Sequence, residues 1–382
     1  MNKRFLEAVA TLVGTTIGAG VLGIPYVVAK SGLAVGLLHI IIIGAAVILV
    51  NLMLGEVALR TKGNHQLTGY AEKYLGKAGK TVMTLSMVAG IYGALIAYII
   101  GTGISLNAAL PQLPPLYGSI IFFAIAAAIV YIGLKAVEKS ELLLAFCTTT
   151  LITIIIVAAL ASDKFSAANF TKTSIQNMFL PYGVVLFAFL GAVAVPEMKE
   201  ELGNGKGRKL LKKAIIIGGI APIALYALFA VAIVGISGIS TGQIATTDLG
   251  SRLGELMAIM ANAFAVLAMS TSFIALGLAL KEMYQYDYKL GRKTAWALTC
   301  IIPIIAFLLG VKGFIAVLGI AGAIAGGTEG ILLVRMHTAA AKRKRSELKP
   351  EYTINGKRIL SIALTLMFLL GIAYAVLKAI RG

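Results

Sequence analysis

Apolar runs recur along this chain from residue 7 to residue 380, and most exceed the roughly 20 residues that an α-helix needs to cross a bilayer core of about 30 Å. Inside lipid every backbone N–H and C=O must find a partner within the protein, so only helix bundles and closed barrels can span it. The runs are continuous and lack period-two alternation, which selects helices over a barrel. Charged residues make up 13% of the chain and hydrophobic ones 59%, whereas a soluble domain carries about 25% charged residues. The fold class predicted is an all-α polytopic membrane protein, with 1–382 forming one membrane domain.

The apolar runs place spans at about 7–30, 33–58, 81–109, 117–135, 140–161, 180–201, 209–236, 250–281, 293–310, 313–335 and 358–379, eleven in all. The first is no cleavable leader: after Lys3 and Arg4 it stays apolar to about Ala29, has no evident cleavage site and is followed by ten more. The formal net charge of +18 suggests nucleic acid until its distribution is examined. With a cytoplasmic N-terminus, 27 of the 34 Lys and Arg residues fall on the cytoplasmic side, leaving Lys30, Lys164, Lys172, Arg252, Lys312, Lys378 and Arg381 outside. That bias fixes the orientation by the positive-inside rule. The charge therefore reports topology in a multi-pass cell (plasma) membrane protein, with its C-terminus outside and no nucleic-acid partner.

Most other motifs read as structural. Lys342, Arg343, Lys344 and Arg345 form the densest basic run, a topology determinant that also suits anionic lipid head groups. Gly79-Lys80-Thr81 imitates the end of a phosphate-binding loop, but Tyr74 stands where that motif needs glycine. Cys147 and Cys300 lie within spans without CxxC spacing, so they read as packing residues. His39 reads as a packed, hydrogen-bonded group, and His65 and His337 as cytoplasmic. Gly90 to Ala94 and Gly322 to Gly327 read as helix-packing surfaces of small residues.

Two spans do not read as simple helices. The first contains Gly14-Thr15-Thr16-Ile17-Gly18-Ala19-Gly20-Val21-Leu22-Gly23-Ile24-Pro25. Each interior glycine disfavours helix by roughly 1 kcal/mol relative to alanine, and Pro25 removes a donor and crowds the carbonyl of Val21. The sixth contains Phe187-Ala188-Phe189-Leu190-Gly191-Ala192-Val193-Ala194-Val195-Pro196-Glu197, and Gly191 precedes Pro196 by the same five residues that separate Gly20 from Pro25. Glycines that only permit close helix packing are the plainer reading, and Gly14 to Gly18 fits it. Interrupted helices in corresponding positions of two inverted halves point instead to a transporter site near the bilayer midplane. Freed N–H groups at a half-helix N-terminus suit a carboxylate, and freed carbonyls suit an ammonium group or a metal cation.

On these residues, GTTIGAGVLGIP in span one and FAFLGAVAVPEM in span six, the chain resembles amino acid permeases of the amino acid/auxin and hydroxy/aromatic amino acid permease type, within the amino acid, polyamine and organocation superfamily. The resemblance implies a leucine-transporter-type fold of 5+5 inverted repeats, about 7–161 and 180–335, with an additional C-terminal helix at about 358–379. It implies that the N–H groups of Gly18, Ala19 and Gly20 hold a substrate carboxylate, and that the carbonyls of Thr16, Phe187, Ala188 and Leu190 accept the amino group. Span eight is similar to the segment that supplies hydroxyls to sodium in sodium-coupled relatives, which implies a site of the Gly14, Ile17 and Ala268 carbonyls with the Thr271 and Ser272 hydroxyls.

Protons are the competing coupling ion, and an intramembrane carboxylate would carry them, since ionisable groups at depth are costly. Glu329 is the candidate; Glu56 reads as a tether for unwound backbone. No lysine occupies the middle of span five, where some proton-coupled relatives carry one, which points towards sodium. Tyr92 and Tyr98 read by default as aromatic packing and otherwise as hydroxyls for the substrate carboxylate. Phe187, Ala188, Phe189 and Leu190 are uncharged, which favours a neutral amino acid as partner. No HExxH or GxSxG motif indicates an enzyme, no repeated polar ring indicates a channel, and no cofactor or obligate protein partner is evident. A membrane-embedded amino acid sensor would share every one of these features except flux.

Overall fold

The computed structural model describes residues 3–133, 141–170, 172–203, 205, 207–286, 288–342, 347–354 and 357–381. Arg343, Lys344 and Arg345 of the basic run lie outside them, as do Lys135 and Lys139. Among the described residues the regular structure is entirely helical. The α-helices are α1 (Lys3–Thr16), α2 (Ile24–Ser31), α3 (Leu33–Arg60), α4 (Leu67–Ala109), α5 (Pro115–Ile132), α6 (Glu141–Leu160), α7 (Leu180–Ala188), α8 (Ala194–Leu202), α9 (Leu211–Ser237), α10 (Gly250–Leu253), α11 (Glu255–Tyr286), α12 (Arg292–Leu308), α13 (Phe314–Ile320), α14 (Gly327–Ala340) and α15 (Lys357–Arg381). A 3₁₀ segment at Ala19–Gly23 joins α1 to α2, and a π segment at Ala321–Gly326 joins α13 to α14.

Seven of these helical stretches are long and apolar enough to cross a membrane, and α1 with α2, bent by 46°, makes an eighth. The expected spans at 140–161, 180–201 and 293–310 are represented by shorter pieces: the apolar Cys147–Leu160 part of α6, the α7 and α8 pair, and the 17 residues of α12. Span three begins earlier than its apolar stretch. Leu67, Tyr70, Ala71 and Tyr74 are buried at helical spacing, so an amphipathic segment with a polar outer face extends α4, kinked at Gly76 where φ is +76°.

Small residues set the closest helix contacts. A Cβ on Gly93 would sit 2.6 Å from the Ala321 side chain and one on Gly90 would sit 3.1 Å from Ala325, which joins α4 to the π segment. Ser86 on α4 donates to the Ala325 carbonyl at 2.7 Å. A Cβ on Gly322 would sit 2.7 Å from Phe187, so the same segment packs closely against α7. These are the packing roles expected of both glycine groups.

The 347–354 segment crosses the C-terminal end of α3. The N–H groups of Glu347 and Leu348 donate to the Arg60 carbonyl at 3.1 and 3.0 Å, and Tyr352 Oη donates to the Leu52 carbonyl at 2.7 Å. Glu351 pairs with Arg208 at 2.6 Å, while Glu347 accepts from Lys73 and from the Lys62 N–H, each at 2.8 Å. The Lys73 ammonium holds the exposed Glu347 carboxyl below the usual carboxylate range, so this tie is present at neutral pH and lost as pH falls through that lowered value.

Glu56, fully buried on α3, fastens the segment from inside. Its Oε1 accepts from Arg60 Nε at 3.0 Å and Nη2 at 2.8 Å; its Oε2 accepts from His337 Nε2 at 2.9 Å and the Ile354 N–H at 2.8 Å. A tether for non-helical backbone is what the sequence suggested, although the backbone held is at 354 and not at the helix interruptions. His337, read from the sequence as cytoplasmic, is fully buried in the last turn of α14 against Glu56.

Candidate functional site

Both glycine–proline segments are interrupted helices. Helix α1 ends at Thr16, Gly18 is extended (φ −122°, ψ −160°), and the Gly18 N–H turns back to the Thr16 carbonyl at 3.0 Å. Helix α7 ends at Ala188, and Phe189 to Val193 are non-helical before α8 begins. Pro25 and Pro196 each lie in the first turn of the second half-helix, where the missing N–H has no helical acceptor in any case. The local physics that broke each helix on paper breaks it in space.

The interruptions lie against each other. A Cβ on Gly20 would sit 2.8 Å from Ala188 Cα, and one on Gly191 would sit 2.5 Å from Thr16 Oγ1. Close packing and broken helix are thus one feature, since the glycines let two backbones meet where both have unwound. The buried Tyr226 of α9 lies between them, its hydroxyl 2.8 Å from the Thr16 carbonyl and 2.9 Å from the Ala188 carbonyl. The Phe189 ring packs against Tyr226, tilted by 49° with centroids 5.0 Å apart. On the other side, Ser272 Oγ accepts the Ala19 N–H at 3.4 Å, and the buried Tyr98 lies beside Ser272.

The structure therefore gathers Thr16, Gly18, Ala19, Gly20 and Ala188 into one locus, with Phe187 beside Gly20. Leu190 follows Ala188 in the interruption, and its side chain turns towards Gly326. Of the five residues considered for sodium, Ser272 stands at this locus, while the Thr271 hydroxyl donates to Leu267 and Ala268 in its own helix, each at 3.1 Å. Ile17 is half-buried, and Gly14 is exposed with nothing within 4 Å of where its Cβ would be. Tyr92 is elsewhere, bonded to Tyr284 at 2.8 Å and to the Leu298 carbonyl at 3.1 Å.

Glu329 lies in the first turn of α14, directly after the π segment, a distortion that recurs at functional sites. Among the described residues no hydrogen bond or ion pair reaches its carboxylate, in contrast to Glu56 with its four donors. His39 donates from Nδ1 to the Val35 carbonyl of its own helix at 2.9 Å, the packed role expected of it. Tyr226 was not foreseen. A buried tyrosine must find a partner for its hydroxyl, but nothing along the sequence says which carbonyl in a distant span supplies it.

Known proteins resemble this chain over most of its length. The family model of the tryptophan/tyrosine permease family matches residues 1–377. Glutamine transporter 2 of Aliivibrio fischeri is 24% identical over 382 residues, covering 96% of this chain and 98% of the relative. Tyrosine-specific transport system 1 of Haemophilus influenzae is 25% identical over 347 residues, covering 84% of each. Among solved structures, MhsT in complex with L-phenylalanine superposes with a TM-score of 0.68 at 17% identity, covering 98% of both chains, which is a likeness of fold.

Proposed function

This chain belongs to the tryptophan/tyrosine permease family, and from that premise we propose that it is a secondary active transporter that moves neutral amino acids, aromatic ones foremost, across the cell membrane by alternating access. The observation that carries this reading is the meeting of two interrupted helices at Thr16, Gly20 and Ala188, with no charged side chain among the residues that form it. Relatives named for tyrosine, tryptophan and glutamine support a zwitterionic substrate. The expected arrangement is eleven spans, five and five as inverted repeats plus α15, with the N-terminus cytoplasmic and the C-terminus outside. The first two spans of each repeat rock against the rest.

In this reading the N–H groups of Gly18, Ala19 and Gly20 hold the carboxylate, and the carbonyls of Thr16, Phe187, Ala188 and Leu190 take the ammonium group. Uptake of labelled phenylalanine, tyrosine, tryptophan and glutamine into proteoliposomes under imposed ion gradients tests it. Gradient-dependent uptake of at least one is expected. Substrate-dependent thermal stabilisation without any flux would identify a sensor instead. Gly18→Leu is expected to abolish binding without preventing expression, because its Cβ would already sit 3.0 Å from Ser272 Oγ; wild-type affinity in that variant would refute the carboxylate assignment.

The coupling ion is Na⁺ or H⁺, with the Gly14, Ile17, Ala268, Thr271 and Ser272 oxygens serving the first and Glu329 the second. The Glu329 carboxylate beside the π segment, without a partner among the described residues, favours the proton. Glu329→Gln is expected to leave substrate exchange intact and to abolish accumulation driven by a pH gradient. Undiminished proton-driven accumulation in that variant would release Glu329 from the role, and accumulation that follows only a sodium gradient would transfer coupling to the span-eight hydroxyls.

A further inference from the structure

We propose that the Tyr226 hydroxyl is a direct ligand of the transported molecule's α-ammonium group, completing a three-oxygen subsite with the Thr16 and Ala188 carbonyls. The proposal rests on the reading that substrate binds at the two interruptions. Thr16 is the last residue of α1 and Ala188 the last of α7, so both carbonyls belong to helix C-termini, where the final acceptors lack intrahelical donors. Each stands at the negative end of its half-helix dipole. Two negative ends thus converge on one point, and the phenol oxygen of Tyr226 reaches both, at 2.8 and 2.9 Å.

Proton counting shows why this is more than a strap. A phenol carries one proton and can direct it to one carbonyl at a time. The Thr16 carbonyl also takes the Gly18 N–H at 3.0 Å, so three oxygens, with lone pairs to spare, meet only two donors around the fully buried Tyr226. A hydroxyl that needed only its own satisfaction would require one carbonyl. An excess of acceptors at two negative helix ends is the complement of a primary ammonium, which brings three donors and a positive charge. When substrate arrives, Tyr226 keeps its proton on one carbonyl and offers a lone pair to one ammonium N–H, and the other two N–H groups go to the carbonyls. The ring stays in place, held against Phe189.

Tyr226→Phe preserves that ring and removes only the oxygen. Binding of L-phenylalanine, L-tyrosine, L-tryptophan and L-glutamine to the purified full chain is measured first, and the tightest of the four is compared with its deamino and N-methyl counterparts. Loss of one charge-assisted bond is expected to weaken the amino acid by about tenfold to about a hundredfold while leaving the deamino acid within about twofold. Equal weakening of both, or of neither, overturns the assignment. So does a thermal stabilisation of the ligand-free wild type by NaCl over choline chloride that Tyr226→Phe removes, since the oxygens would then hold sodium.

Should Tyr226→Phe fail to fold, the wild type alone decides. N-methylation removes one of three N–H donors and is expected to weaken binding by at least about tenfold; equal affinity overturns the proposal. If no amino acid binds the wild type, or if Gly18→Leu binds as wild type does, the substrate site itself is misplaced. Retained binding by Tyr226→Phe in a protein that Gly18→Leu disables would refute the tyrosine's role alone.

Discussion

Gly20→Val is expected to lower amino acid uptake by about a hundredfold or more while the protein still inserts and is purified at near-normal yield. The side chain would start 2.8 Å from Ala188 Cα and 3.1 Å from its Cβ. Backbone cannot rotate away as the end of a flexible side chain can, so the two interruptions must separate. Overpacking of this kind destabilises by about 1–3 kcal/mol, which a large bundle survives, whereas a displacement of about 1 Å at a reacting or binding geometry can reduce function about a hundredfold. Gly20 does not have a positive φ, so the effect belongs to contact and not to backbone strain. Gly291→Ala, with open space around it and φ at −61°, is the control outside the site and should transport as wild type does. Uptake assays with parallel thermal unfolding separate the two effects, and wild-type uptake by Gly20→Val would show that the interruptions need not touch.

Glu56→Ala is expected to produce the largest loss of stability. Its two buried oxygens receive four donors, from Arg60, His337 and the Ile354 N–H. Removing one partner of a buried charged pair costs about 3–5 kcal/mol, because the other partner is left desolvated without compensation. Glu56→Gln should recover only part of this, since an amide offers one accepting oxygen where the carboxylate offers two. Thermal unfolding in detergent should rank the wild type above Glu56→Gln and Glu56→Ala lowest. An alanine variant that unfolds with the wild type would mean that the network is ornamental.

The helical class and the two interruptions were legible in the sequence because both rest on local physics: apolar length sets a span, and glycine with proline breaks one. The recognition of a hydroxy/aromatic amino acid permease is likewise borne out by the family match. Contacts between distant spans were not legible. Tyr92 and Tyr98 are six residues apart on α4, which at 3.6 residues per turn places them on different faces, so the two could not share one role. Only the packing of α11 against α4 decides that Tyr98 meets Ser272 while Tyr92 meets Tyr284. Glu56 and His337, separated by 281 positions, are joined by the same kind of long-range choice. Tyr226 was invisible for that reason, although the carbonyls it reaches are among those the family resemblance implies.

The 347–354 segment carries one more consequence. Its attachments to Arg60 and Glu56 use its own backbone N–H groups at 347, 348 and 354. A side chain may be exchanged without disturbing a main-chain donor, but a residue cannot be added or removed without shifting it. Between 348 and 354 this stretch is accordingly a ruler: evolution and the protein engineer are free to rewrite many of its letters, and neither is free to change their number.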